Sequence, residues 1–447
     1  MTAPEHDRPA HDVVESAGTG KRALVGIGVG HALEWYDWGI YAIFVPFFAT
    51  QFFGRSDGAS AVLESLAVFA VGFVARPIGG LIIGRLADRL GRKPMMTLTV
   101  GGMALASMAI GLSPTFATVG VGASVILLLA RIVQGMSTGG ELPSAQTYLS
   151  ETAPRVRRGL WSSVIYVASV GGNTVGVVLG LILTLTLTDA EMSAYGWRIP
   201  FVVGGVFGLV ALWIRRSLTE SEAFTAEAGS GAQRPPMWPE IVRHRRQALT
   251  VIGLTVGPTV VYYAWVIAAP AYAISALAIG SSGALLAGVV ASLVLVAALP
   301  AWGALSDRIG RRPVLLISTV GAAAVMFPLQ ALVRDSAWQL GLAMSVAAVF
   351  ISAGVAILPA VYAEMFPTAI RAVGLAVPYS IAVAAFGGTA PYLQTWAGET
   401  IGRSGFTGYI VVLLLVSAVT AFVIPETAGA DLTSQEGGLD EAARPTR

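Results

Sequence analysis

Gly84-Arg85-Leu86-Ala87-Asp88-Arg89-Leu90-Gly91-Arg92-Lys93-Pro94 and Gly303-Ala304-Leu305-Ser306-Asp307-Arg308-Ile309-Gly310-Arg311-Arg312-Pro313 are two copies of one phrase. Gly, Leu, Asp, Arg, Gly, Arg and Pro hold the same places in both, and long apolar segments flank each copy. Each reads as a basic, Gly-punctuated hairpin between two spans. A phrase repeated in this way implies two like halves facing the same way. A second repeat agrees. Glu151-Thr152-Ala153-Pro154 is followed by Arg158, and Glu364-Met365-Phe366-Pro367 by Arg371, at the same distance.

Of the 447 residues 55% are hydrophobic and only 12% charged, with a mean hydropathy of +0.71. A soluble chain carries about a quarter charged residues, so this is a multi-spanning membrane protein. The net charge of +2 says little. The absence of cysteine excludes disulfides, thiol catalysis and thiolate metal sites. No cofactor, metal site or nucleic-acid partner is expected; the bilayer is.

A bilayer core needs about 20 apolar helical residues per crossing. Twelve segments qualify: 22–50, 60–83, 95–113, 120–143, 160–187, 197–214, 248–275, 281–304, 313–333, 338–363, 372–396 and 405–424. The expected plan is all-α: a disordered tail over 1–21, a six-helix bundle over 22–214, a linker over 215–247, a second six-helix bundle over 248–424, and a tail over 425–447. Lys21, Arg22, both hairpins, Arg155, Arg157, Arg158, the linker's Arg243-His244-Arg245-Arg246 and Arg371 all fall on one side. The opposite loops hold Arg55, Arg198, Arg334 and Arg403. The basic side is expected to be cytoplasmic, with both termini.

Charges at bilayer depth are expensive and point to function. Glu34 and Asp37 lie about 18 and 22 Å along the first span. His31, Glu34, Asp37 (or Trp38) and Tyr41 share one helix face. Arg131 reaches a similar depth in span four. Arg76 sits closer to the basic side, about 12 Å in. The interiors of spans seven to twelve contain no Asp, Lys or Arg, so titratable chemistry belongs to the first half. The second half offers Tyr262, Tyr263, Trp265 and Tyr379. Arg131 is expected to be held by an acid of span one, Glu34 or Asp37. Protonating that acid would free the guanidinium for a substrate carboxylate. The alternative is a permanent pair holding spans one and four together.

The motifs resemble the major facilitator superfamily, whose signature loop between spans two and three matches 84–94. Glu34-Trp35-Tyr36-Asp37, Ala75-Arg76-Pro77-Ile78-Gly79-Gly80, Arg131-Ile132-Val133-Gln134-Gly135 with Gly139-Gly140-Glu141, Gly196-Trp197-Arg198-Ile199-Pro200-Phe201 and Phe386-Gly387-Gly388-Thr389-Ala390-Pro391 are similar to those of its metabolite:proton symporter family. Thr147-Tyr148-Leu149-Ser150-Glu151 and Trp213-Ile214-Arg215-Arg216 resemble its α-ketoglutarate permease branch. His31, where an Asn is usual, and Leu142-Pro143 depart from the pattern.

The resemblance implies a monomeric, proton-coupled importer of a small carboxylate such as α-ketoglutarate, working by alternating access in a bacterial inner membrane. The alternatives are a cyclic acid or a zwitterionic osmolyte such as proline or betaine. Proton coupling is expected at Glu34, Asp37 and His31. Substrate contact is expected at Arg131, Arg76, Tyr41, Gln134, Asn173, Tyr262, Tyr263, Trp265 and Tyr379. Gating is expected at Asp88, Arg92, Glu141, Glu151, Arg158, Arg198, Asp307, Arg311, Glu364 and Arg371. An enzyme is disfavoured, because no nucleophile–base pair or metal spacing accompanies His31.

Overall fold

The computed structural model describes residues 10–54, 56–90, 92–139, 146, 149–150, 153–216, 243–366, 371–430 and 432. Twelve long helices dominate these residues: α1 (Ala10–Phe52), α2 (Gly58–Leu90), α3 (Arg92–Gly111), α4 (Val121–Thr138), α5 (Arg158–Thr186) and α6 (Arg198–Arg216). The second set is α7 (Arg245–Tyr262, continued by Ala269–Ala276), α8 (Ser281–Ile309), α9 (Arg311–Leu332), α10 (Ala337–Met365), α11 (Arg371–Ala382, continued by Ala390–Thr400) and α12 (Arg403–Val423). In a bilayer the backbone must satisfy its own hydrogen bonds, which is why apolar runs become helices. Nine candidate membrane spans are present among the described residues, and Thr97–Gly111 adds a shorter apolar helix.

The helices pack as two bundles. α1 lies along α5, α3 on α6, and α2 against α4; in the second bundle α8 lies along α10 and α7 along α12. Between the bundles α5 runs against α8 and α2 meets α11. The second helix of each bundle therefore faces the fifth helix of the other, as a two-fold repeat demands.

Two expectations are corrected. α1 is helical from Ala10, inside the segment expected to be a disordered tail. The repeated phrases are not loops. α2 continues to Leu90 and α8 to Ile309, and α9 begins at Arg311, so one residue separates α8 from α9. Basic and glycine residues look loop-like, yet Leu, Ala and Arg are good helix formers and keep the turn going. Gly310 makes the break at φ 100°, where side chains are strained.

Glu426 then caps α9, accepting from the backbone N–H of Arg311 (2.7 Å) and Arg312 (3.1 Å), two donors with no intrahelical partner. A Cβ at Gly310 would collide with the Glu426 carboxylate. Gly310→Ala is expected to cost about 1–3 kcal/mol and to lower the thermal midpoint of the purified protein. Gly171→Ala, which meets open space, should leave it unchanged or raise it.

α7 and α11 are each interrupted by a wide π turn, Tyr263–Ile267 and Val383–Gly387. The two meet: a Cβ at Gly387 would lie 2.8 Å from the Tyr263 ring. Such turns concentrate at functional sites, and here both border the residues described next.

Candidate functional site

The ionisable core lies in the first bundle, on α1, α2 and α4. Arg131 is fully buried. Its guanidinium lies over Trp38 (4.0 Å) and Tyr41 (4.3 Å), a cation–π seat that offsets part of its lost hydration. Nη1 donates to Gln134 Oε1 at 2.7 Å, while Nε and Nη2 have no hydrogen-bond partner. Arg76 shares the same indole, with its guanidinium 3.9 Å from the Trp38 centroid and 4.2 Å from Phe73. α2 packs so closely on α4 that Arg76, expected nearer the basic side than Arg131, reaches the same ring.

Asp37 is 5% exposed. Of the two acids expected to hold Arg131, Asp37 makes no direct ion pair with it and reaches it through Gln134. Gln134 Nε2 donates to Asp37 Oδ2 at 2.6 Å and to Ser107 Oγ at 2.8 Å. Ser107 Oγ in turn donates to Asp37 Oδ1. The chain therefore runs carboxylate, amide, guanidinium. On the same face of α1, His31 Nδ1 lies 3.7 Å from Glu34 Oε2, both groups buried. Tyr41 spends its hydroxyl on Ser65 O (2.9 Å), leaving its ring as the floor under Arg131.

Aromatic rings seal this core against the second bundle. Trp35 meets Tyr262 edge-on at 5.8 Å and stacks on Tyr263 at 6.3 Å, and Phe73 meets Tyr263 at 5.2 Å. Tyr379 lies 6.2 Å from Tyr362. Asn173 of α5 is buried against Gly39. The Asn173 amide, the Tyr262 hydroxyl, and the indole N–H of Trp35 and Trp38 have no hydrogen-bond partner. Buried polar groups are normally paired, which marks these groups as candidate ligand contacts. Trp265 is elsewhere. It lines a cavity with Tyr272, Gln330 and Arg403 of the second bundle.

A second cluster closes the end that carries the repeats. Asp307 of α8 accepts from the N–H of Gly159 (2.8 Å) and Leu160 (2.9 Å), capping α5 across the bundle interface. It also pairs with Arg311 at 2.8 Å. Buried Glu364 accepts from Arg158 (3.0 Å), Arg311 (3.3 Å) and Thr427 (2.8 Å). Arg371 donates to Ala363 O and Leu432 O. The side chains of Asp88, Arg92, Glu141 and Glu151 lie outside the described residues. Arg198 spans no interface between bundles: it donates to Gly111 O (2.9 Å) and Ser113 O (2.7 Å), finishing α3 within its own bundle.

Ser107, Glu426 and Thr427 were not anticipated. Ser107 is one hydroxyl in an apolar span; only the proline ending α12 hints that the chain turns back over the repeats.

Residues 27–299 match the family model described as Major Facilitator Superfamily, and residues 230–438 that described as Sugar (and other) transporter. The chain is similar to the alpha-ketoglutarate permease of Escherichia coli (strain K12), at 33% identity across 93% of this chain and 96% of that one. It is 30% identical to the proline/betaine transporter of Salmonella typhimurium, across 92% of this chain and 85% of that protein. The crystal structure of a D-xylose-proton symporter superposes with a TM-score of 0.70 at 20% identity, covering 91% of this chain and 98% of that one.

Proposed function

The chain belongs to the major facilitator superfamily, a family of membrane transporters and not of enzymes, and on that premise we propose that it is a proton-coupled symporter of a small carboxylate. The observation that carries this is Arg131: a wholly buried guanidinium with two nitrogens unpaired, in the same network as a buried carboxylate. An unneutralised buried cation is costly. A substrate carboxylate relieves that cost bidentately, and a proton on Asp37 removes the competing negative charge. Proton and anion load together. His31 and Glu34 supply the neighbouring titratable pair, and Arg76 the second cation for a dicarboxylate such as α-ketoglutarate.

The bias of basic residues puts the repeat-bearing end, and both termini, in the cytoplasm of a bacterial cell. The bundles 22–214 and 248–424, joined by the 215–247 linker, rock about the core of a monomer. Asp307, Arg311, Glu364 and Arg158 hold its cytoplasmic side shut.

A zwitterion is the second reading. The Trp35–Tyr262–Tyr263 rings offer a surface for a quaternary ammonium beside a carboxylate on Arg131. Uptake of labelled α-ketoglutarate into proteoliposomes, with and without an inward proton gradient and with succinate, citrate, shikimate and betaine as competitors, tests both. Uphill accumulation only with the gradient supports carboxylate symport. Competition by betaine alone favours the zwitterion. In Asp37→Asn, gradient-driven accumulation is expected to be lost while counterflow exchange persists, because the amide mimics the protonated acid.

A further inference from the structure

We propose that Gln134 is the positioning residue that passes the protonation of Asp37 to Arg131, by inverting its side-chain amide. The inference rests on the proton-coupled reading above and adds how the two charges communicate.

The flanking groups fix the amide's orientation. An ionised carboxylate only accepts and a guanidinium only donates. Gln134 accordingly turns its NH2 to Asp37 (2.6 Å) and its carbonyl to Arg131 (2.7 Å). When a proton binds at Asp37 Oδ2, the new O–H faces the Gln134 N–H, donor against donor. Rotation about the terminal torsion, which is soft and two-fold, brings the carbonyl round to accept from the acid. That same rotation points the NH2 at Arg131, another donor against donor. The bond to Nη1 breaks, and all of the guanidinium's outer N–H groups become available to a substrate carboxylate. Loss of the proton reverses each step, so no atom or charge is unaccounted for.

Ser107 suits both states. Its hydroxyl accepts from the Gln134 NH2 and donates to Asp37 Oδ1; after inversion it can donate to the carbonyl instead. Among the helices around Asp37, α4 brings Arg131 and α2 brings Arg76. α1 itself adds Tyr36, whose hydroxyl donates to Pro200 O (2.8 Å), along with Tyr41, Glu34 and His31. α5 adds Tyr166, and α7 adds Tyr262 and Tyr263; the facing stretches of α3 and α6 carry no titratable residue. Among the described residues, only Gln134 has a side chain hydrogen-bonded to both Asp37 and Arg131.

Two measurements test this on the full-length protein in lipid. The first needs no substrate: pH-difference infrared spectra with glutamine carrying a labelled side-chain carbonyl. Protonation of Asp37, identified by a carboxylic-acid band missing in Asp37→Asn, is expected to coincide with a shift of one glutamine band missing in Gln134→Met. The acid band without the glutamine shift overturns the proposal. No acid band assignable to Asp37 overturns it together with the proton-coupling role of Asp37.

The second measurement is α-ketoglutarate transport. In Gln134→Met the hydrogen bond on Arg131 Nη1 is absent at every pH, so the pH dependence of apparent affinity should flatten by about tenfold or more; gradient-driven accumulation should fail, with exchange reduced less than in Gln134→Glu. Gln134→Glu keeps the shape but can only accept once ionised. It should pin Arg131 and depress exchange by a similar factor, a contrast that loss of folding in both variants would not produce. Wild-type coupling in Gln134→Met overturns the proposal. If the wild type ignores α-ketoglutarate, the substrate reading fails while the infrared result still decides the role of Gln134.

Discussion

Arg131→Lys is expected to reduce carboxylate uptake about a hundredfold or more while leaving the protein folded. The lysine keeps the charge and can lie against Trp38 and Tyr41, so the stacking that seats the guanidinium (4.0 and 4.3 Å) is partly preserved. It cannot present two parallel donors to a carboxylate. A charge-assisted hydrogen bond contributes about 1.5–3 kcal/mol, and losing the bidentate pair therefore lowers affinity by one to two decades. Desolvation adds to this, because the side chain is 0% exposed and water does not replace the missing donor. The measurement is initial uptake against substrate concentration in proteoliposomes, with thermal stability in detergent as the folding control. An unchanged apparent KM in Arg131→Lys would remove Arg131 from the binding site. Arg76→Lys is a useful comparison. It shares the Trp38 ring but lies 9% exposed, and it should cost less against a monocarboxylate than against a dicarboxylate.

The twelve-helix plan could be read from residue order because it rests on hydropathy and on a repeat, both local in sequence. What surrounds Arg131 could not. Its partner is a neutral amide three residues on, a spacing that any polar pair on a helix would show. The link from that amide to Asp37 depends on how α1 and α4 cross. Ser107 is silent for the same reason: hydroxyls are common in apolar spans, and nothing nearby marks this one. The π turns at 263–267 and 383–387 have no residue signature beyond Gly387-Gly388. Tyr262 and Tyr263, where the first turn begins, meet Trp35, while Trp265 within it lines a cavity of the second bundle. The repeats carried more than expected. In the second copy Asp307 pairs with Arg311 and caps a helix of the opposite bundle, a partner that the local sequence does not name.

Removing the carboxylate of Glu364 is the variant expected to move the conformational equilibrium most. Glu364 is 1% exposed and holds two arginines from different bundles: Arg158 at the start of α5 and Arg311 at the start of α9. In Glu364→Gln the volume stays and the charge goes, leaving Arg158 and Arg311 buried with one partner fewer. Breaking a buried pair costs about 3–5 kcal/mol. The cost falls only on the state closed at this end, because opening hydrates both guanidinium groups. The equilibrium should therefore shift towards opening by about two to three and a half decades. The chain contains no cysteine, so Val156→Cys with Ile309→Cys places spin labels only at two exposed positions flanking this interface. In the parent the pair should give one short distance; with Glu364→Gln a longer one should appear and dominate. An unchanged distribution would show that the Asp307 cap on α5 holds the end closed without Glu364. Transport should respond asymmetrically. Exchange needs both states only transiently, whereas uphill accumulation needs the empty carrier to close this end again, so Glu364→Gln should lose accumulation before it loses exchange.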